Sequence, residues 1–202
     1  MSFPDFFDQA PQITMRDPLS EFLGASEGGL ITYAYADAVK LAGHSCPTVA
    51  GTWLMLARGL ECLYPNSSPE RGRIRIGFPD PANSGVTGVM AAVATLVTGA
   101  TQDNGFKGLG GRFDRRGLLD FSQPINGSMA LERCDTSARV TLSLDTSVLP
   151  AAPEMGALMG LCLSGQGAKE DQKRFGQMWQ SRVRHMLTVL ASDARLVRLT
   201  TA

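Results

Sequence analysis

The chain has little of what marks several large classes of protein. Its 202 residues include only four cysteines and two histidines, and Lys+Arg and Asp+Glu are balanced at 19 each. Balanced charge gives no overall field that would favour nucleic acid or a membrane surface as a partner. No apolar run approaches the roughly 18 residues needed to span a bilayer. We therefore expect a protein that binds neither nucleic acid nor a membrane.

The cysteines are scattered, which excludes two common cysteine frameworks. They stand at Cys46, Cys62, Cys134 and Cys162, with no C-x-x-C pair. This spacing is not that of a small secreted disulfide domain or of a zinc finger built from local pairs. The first eight residues also lack the basic and apolar segments of a secretory signal. We expect a cytoplasmic protein with reduced thiols.

Length and composition fit one domain. A chain of 202 residues can bury a substantial core, and contents of 44% hydrophobic and 19% charged residues are ordinary for a globular protein. No internal repeat or low-complexity linker divides the sequence. We predict a single domain over residues 1–202, with its core at about 25–190.

The hydrophobic periodicity predicts helices at both ends of the chain and short strands between them. The predicted helices span 27–43, 47–64, 84–98 and 170–190, with further helix from 153. The predicted strands span 71–78, 118–121, 128–134 and 139–144. This order predicts an α+β fold, a mixed or antiparallel sheet packed with helices.

The stretch Gly43-His44-Ser45-Cys46-Pro47 carries the strongest chemical signal. Proline favours the first turn of a helix, so Cys46 is expected at or just before a helix N-terminus, where the dipole favours a thiolate. His44 lies two residues earlier in an extended approach, so its side chain points to the same side. The pair suits half of a metal site or a nucleophile with its base. A buried cysteine beside a hydrogen-bonded histidine is the plain alternative.

Weaker signals lie elsewhere in the chain. The glycine-rich run 107–111 resembles a phosphate-binding loop, but a turn and a strand follow it rather than the required helix. The basic cluster Arg112, Arg115 and Arg116 suits either an anionic ligand or a solvated hairpin. His185 is expected at the surface or an interface. With two histidines and no Gly-x-Ser-x-Gly elbow, a serine triad is not indicated.

Residues 38–53, Ala-Val-Lys-Leu-Ala-Gly-His-Ser-Cys-Pro-Thr-Val-Ala-Gly-Thr-Trp, resemble the family of the formylmethanofuran dehydrogenase E chain, the FmdE-like family. That family carries a His-Gly-His-x-Cys-Pro-Gly signature followed by a helix. Residues 96–101, Leu-Val-Thr-Gly-Ala-Thr, and 105–108, Gly-Phe-Lys-Gly, are similar to its second block, typically Leu-Thr-Gly-Cys-Thr before a Gly-Lys-Gly-like turn. The resemblance covers about residues 25–190.

The resemblance implies an α+β core that forms homodimers, with a cleft that holds the motif His and Cys around a divalent metal, often zinc. His44 and Cys46 match the central His and Cys. Ala42, Thr48 and Ala100 stand where the family has His, Gly and Cys.

Two further departures concern cysteine ligands. The segment before the third helix offers no cysteine but only Asn83, Ser84 and Thr87. No paired cysteines follow Cys134, so the C-terminal zinc finger of some members is not expected.

The sequence supplies two metal ligands, His44 and Cys46, whereas zinc usually takes three or four from protein. A third could be water or one of three unranked carboxylates, Glu61, Asp80 and Asp103. Haem is the alternative cofactor, since thiolate or imidazole can serve as its axial ligand. Its face could rest on Trp53, Met55 and Met90, which are otherwise plain core. A site without metal also remains open.

Two classes of function follow from this site. The first is a metal- or cofactor-binding accessory protein, such as a carrier for metal or haem in a redox pathway. The alternative is a small enzyme with Cys46 as thiolate nucleophile or metal ligand and His44 as base. The lack of a further acid–base set favours the binding protein.

A homodimer is expected, with the last helix as one candidate contact. The apolar stripe of that helix contributes either to the contact or to the core beneath it; its residues are Phe175, Trp179, Met186 and Leu190.

Overall fold

The computed structural model describes residues 3–201, which form an α+β fold as predicted. The helices are α1 (Pro18–Phe22), α2 (Tyr35–Ala42), α3 (Pro47–Leu63), α4 (Thr87–Thr98), α5 (Pro153–Leu163) and α6 (Lys169–Thr188). The strands are β1 (Ile13–Arg16), β2 (Leu30–Tyr33), β3 (Ile74–Gly77), β4 (Leu119–Asp120), β5 (Met129–Arg133), β6 (Arg139–Leu144) and β7 (Val197–Thr201). Across residues 3–201, no helix combines the length and the apolar character of a membrane span.

The strands form two sheets. β1 and β2 pair antiparallel, while the second sheet has the order β4-β3-β5-β6-β7. In that sheet β3 and β4 run parallel and the other neighbours antiparallel, so the sheet is mixed. Ile74 and Ile76 of β3 are buried and Arg75 between them is exposed, which is the alternation expected of a strand with one covered face.

Helix α3 is the central element of the core. It packs against α4, α6 and β6, and its side chains Trp53, Leu54, Met55 and Leu56 are fully buried. At Gly59 an added Cβ would lie 2.6 Å from Cδ1 of Leu131, so glycine allows the helix to approach β5 closely. Because α3 is held by this packing, the residues at its N-terminus have a fixed position relative to the core.

The predicted helix over 27–43 is wrong in its first half. Residues Glu27–Gly29 form a 3₁₀ turn, Leu30–Tyr33 form β2, and only the second half is helical, as α2. Gly28 and Gly29 have φ of 59° and 70°, values incompatible with a right-handed helix. The sequence Leu-Ile-Thr-Tyr that follows favours a strand, and it pairs with β1, which the periodicity did not indicate.

The other predicted elements are present, most of them with shifted ends. The helix expected from 84 begins at Thr87, the strand predicted at 139–144 is β6, and the last helix is α6. The strand β7 was not predicted. On α6, Met186 is fully buried and the rings of Phe175 and Trp179 lie 5.6 Å apart. This stripe therefore contributes to the core of the chain itself, which is one of its two predicted roles.

A buried cluster of charges joins the first sheet to α4 and to the loop before β4. Asp17 accepts hydrogen bonds from Nη2 of Arg115 at 2.7 Å and from Nη1 of Arg71 at 3.1 Å. It also caps α1 by accepting from the backbone of Leu19 and Ser20. Burial by itself would raise the pKa of Asp17, but Arg115, the Ser20 amide and Arg71 outweigh it and hold the pKa below the usual 3.8.

Candidate functional site

The connection 43–46 links α2 directly to α3. Gly43 ends α2 in the left-handed conformation, with φ of 74°, and donates its N–H to the carbonyl of Val39 at 2.8 Å. A left-handed residue at this place suits glycine, since other residues are strained there. The connection therefore has a defined path and brings His44, Ser45 and Cys46 to the N-terminus of the most buried helix.

Cys46 is the N-cap residue of α3, as the sequence predicts. Its backbone is extended, Pro47 occupies the first helical position, and its Sγ accepts a hydrogen bond from the Val49 amide at 3.4 Å. The residue is 9% exposed. The sulfur thus takes the place of the usual capping oxygen, at a point where a helix stabilises negative charge.

His44 is exposed, and its ring is held by the backbone. Nδ1 lies 2.9 Å from the carbonyl oxygen of Ala42. Because a carbonyl only accepts, we assign the proton of the neutral ring to Nδ1, which leaves Nε2 as a free lone-pair donor. Histidines that bind metals are commonly oriented in this way, through a hydrogen bond from the other ring nitrogen.

Ser45 ties the connection to two helices. Its carbonyl accepts from Nε1 of Trp179 at 2.9 Å and from Nε2 of Gln180 at 3.1 Å, and its Oγ lies 3.0 Å from the hydroxyl of Tyr35. Burial raises the pKa of Tyr35, so its hydroxyl stays protonated at neutral pH. Local sequence patterns do not indicate these partners, because Trp179 and Gln180 lie more than 130 residues away.

The side chain of Gln180 leaves one polar atom unused. Its Oε1 is buried and has no hydrogen-bond partner within residues 3–201. Reversing the amide would set Oε1 against the Ser45 carbonyl, two acceptors in contact. The same side chain therefore donates to the Ser45 carbonyl through Nε2 and carries a buried oxygen without a donor. A buried polar atom without a partner is unusual in a folded protein.

The carboxylates proposed as a third metal ligand do not complete a site within one chain. Glu61, Asp80 and Asp103 are all exposed. Over residues 3–201, no group of three or more His, Cys, Asp or Glu side chains is arranged to hold a metal ion. A zinc site with three protein ligands from one chain therefore does not fit the residues at this connection.

The proposed haem face does not fit either. Trp53 and Met55 are fully buried, Met90 is 7% exposed, and Nε1 of Trp53 donates to the carbonyl of Pro11 at 2.7 Å. These side chains are core, as the plain alternative holds.

The second block of the resemblance lies at the end of α4. Gly99 ends this helix with φ of 71°, and Ala100 is buried. Thr101 donates from both its amide and its hydroxyl to the carbonyl of Arg115. The block therefore holds the segment that carries Arg115.

The basic cluster on this segment divides into two parts. Arg112 and Arg116 are exposed, and Arg116 pairs with Asp114 at 2.7 Å, as the solvated-hairpin hypothesis expects. Arg115 instead points inward and is 5% exposed. Its partner is the buried Asp17. One local signal in the sequence indicates a structural role for that residue, because Asp before Pro is a pattern typical of a helix start.

In the comparisons with known proteins, no family model matches the chain and no curated protein is significantly similar to it. The resemblance to the FmdE-like family therefore stays a prediction that rests on the quoted motifs.

Proposed function

We propose that the chain is an accessory protein of the FmdE-like type that binds a metal ion through Nε2 of His44 and Sγ of Cys46. The observation that carries this proposal is the 2.9 Å contact between Nδ1 of His44 and the Ala42 carbonyl. It leaves Nε2 free, two residues from a sulfur at a helix N-terminus. Imidazole and thiolate together are ligands that zinc favours.

The fixed backbone of the connection supports a binding role. Hydrogen bonds from Trp179 and Gln180, together with the contact to Tyr35, hold Ser45 between the two candidate ligands. A site whose ligands are already held in place loses less conformational freedom when it binds. The unused acceptor of Gln180 adds a polar group beside the same backbone.

We further propose that a second copy of the chain completes the ligand set. Two copies would bring two histidines and two cysteines, the ligands of a tetrahedral zinc site. The exposure of His44 supports this arrangement, since its ring is open to a neighbouring chain. A metal ion held there would supply Lewis-acid chemistry or serve as cargo. Haem, which brings four donors of its own and needs only axial ligands, is the alternative cofactor. It would have to rest on a surface other than Trp53, Met55 and Met90, which are buried.

A small enzyme is the second candidate function, with Cys46 as nucleophile and His44 as base. The amide of Val49 donating to Sγ supports it, because this arrangement suits a thiolate. The 9% exposure of Cys46 counts against both candidates, since the sulfur has to reach either a substrate or a metal ion. The lack of a further acid–base set in the sequence is what favours the binding protein.

We expect His44→Ala and Cys46→Ala each to lose most of the bound metal, because each removes a ligand. The measurement is elemental analysis and an ultraviolet–visible spectrum of protein purified without added metal. The expected content is about one zinc per two chains. His44→Ala should lose only ~1 kcal/mol of stability beyond the binding energy, since His44 is exposed. Cys46→Ala should lose about 1–2 kcal/mol, because it also removes the buried sulfur that caps α3.

The chain offers matched controls for both substitutions. His185→Ala removes the other histidine, which is exposed on α6, and Cys62→Ser changes an exposed cysteine near the end of α3. Both should retain the metal. Light scattering should give about twice 21.6 kDa, falling to 21.6 kDa with a chelator. Equal metal content in the wild type and all four variants would exclude His44 and Cys46 as the metal site. A Soret band would show that the bound cofactor is haem and not zinc.

A further inference from the structure

A second site lies beside the buried cluster of Asp17, Arg71 and Arg115, away from the His44–Cys46 connection. A cavity of about 450 Å³ opens there to solvent, and all three charged residues line it. The rest of its wall is largely apolar, with four larger side chains: Leu19, Leu23, Ile31 and Phe106. An apolar cavity with a few convergent polar groups is the usual form of a small-molecule site.

The charges in its wall do not cancel. One carboxylate faces two guanidinium groups, so the cluster holds one excess positive charge. Arg71 also donates from Nε to the carbonyl of Val97 and from Nη2 to the carbonyl of Leu96, at the end of α4. Its Nη1 carries two N–H groups and uses one of them on Asp17, so one remains for a ligand. Arg115 is 5% exposed, yet its Nη1 has no hydrogen-bond partner within residues 3–201. A buried guanidinium with an unused pair of N–H donors is costly unless an acceptor joins it.

Both guanidinium groups converge on one glycine of the cavity wall. A Cβ added to Gly99 would collide with Nη1 of Arg115 and lie 3.1 Å from Nη1 of Arg71. Gly99 also lines the cavity. The two Nη1 atoms therefore lie at the same part of the wall, which places the anion-binding end of the cavity beside Gly99.

We propose that this cavity binds a small monocarboxylate with an apolar tail. Its carboxylate pairs with Arg115 and Arg71, because guanidinium forks match carboxylate geometry and one negative charge balances the excess. Its tail lies against Leu23 and Phe106, which are 61% and 42% exposed without it. Inorganic phosphate fits less well, since its charge approaches two and it has no apolar part.

The test is calorimetry and thermal unfolding of the full chain with octanoate, 1-octanol and inorganic phosphate. Octanoate should bind saturably and raise the Tm, because only it has both the charge and the tail. The other two should have no saturable effect. If octanol binds as tightly as octanoate, the proposal that the arginines bind a carboxylate is wrong. If phosphate binds and octanoate does not, the proposal that the ligand is a monocarboxylate with an apolar tail is wrong.

A pair of variants at Leu23 tests the site without disturbing the core. Leu23→Glu should weaken octanoate binding about fivefold relative to Leu23→Gln, since a charged side chain costs more than an amide to desolvate beside the apolar tail. The residue is 61% exposed, so both variants should fold. Arg115→Lys should also weaken binding, because lysine lacks the fork, whereas the exposed neighbour variant Arg116→Lys should not. Equal octanoate affinity in the two Leu23 variants would exclude this cavity as the site.

Discussion

Replacing Asp17 with alanine should lower the free energy of unfolding by about 3–5 kcal/mol, because it leaves the buried guanidinium of Arg115 and the partly buried one of Arg71 without a counter-ion. Asp17 is 4% exposed and accepts from Arg71, Arg115 and two backbone amides of α1. The measurement is urea unfolding followed by circular dichroism. A loss below about 1 kcal/mol would mean that water replaces the carboxylate at little cost.

Asp17→Asn separates the charge of this residue from its capping role. Asparagine caps helices about as well as aspartate but cannot neutralise the arginines, so this variant should also be destabilised at pH 7. Because the folded-state pKa of Asp17 lies below its unfolded value, its charge stabilises the fold above about pH 4. That contribution is lost as the pH falls through the folded pKa.

The difference between wild type and Asp17→Asn should therefore shrink as the pH is lowered below about 4. The other carboxyls with a lowered pKa titrate in both proteins and cancel in the comparison; they are Asp37, Asp114, Asp135, Asp145 and Asp193. A difference that does not change between pH 7 and pH 3 would show that the charge of Asp17 contributes nothing.

Replacing Trp53 with alanine should cost about 3–5 kcal/mol, the range for deleting a large buried aromatic side chain. Trp53 is fully buried on α3, and its ring lies 6.2 Å from that of Tyr35, whose hydroxyl contacts Ser45. Chemical unfolding monitored by far-ultraviolet circular dichroism measures the loss.

Trp53→Phe is the matched control for that change. It keeps most of the apolar volume and removes the donor to the Pro11 carbonyl, so it should cost about 1–2 kcal/mol. If the alanine and phenylalanine variants lose the same stability, the hydrogen bond matters and the packing of α3 does not.

Two features of the fold were predictable because each depends only on neighbouring residues in the sequence. The start of α3 follows from Pro47 and its preceding cysteine, and β6 follows from strict alternation over residues 139–144. The prediction for residues 27–33 was wrong because their apolar spacing also suits a helix. The two consecutive glycines exclude a helix there, and pairing with β1 stabilises a strand. Periodicity does not show which distant strand is available for pairing.

The candidate site divides in the same way. The N-cap position of Cys46 is a property of five consecutive residues, and it was predictable. The contacts of Ser45 with Trp179 and Gln180, and of Asp17 with Arg115, join segments far apart in the chain. Each arginine of the basic segment has the same charge and nearly the same neighbours, so only the fold decides that Arg115 turns inward.

The contact between Asp17 and Arg115 spans 98 residues, and this separation has a consequence for the order of folding. At a synthesis rate of about 5–20 residues per second, Arg115 emerges roughly 5–20 s after Asp17. During that interval Arg71 is the one arginine of the cluster that can pair with Asp17, so the complete cluster cannot form. In refolding of the complete chain, a contact across 98 residues costs loop-closure entropy, so we expect it to form after the folding transition state. Its loss should then speed unfolding and leave the refolding rate nearly unchanged. The cluster would then lower the rate of unfolding and so lengthen the lifetime of the native state.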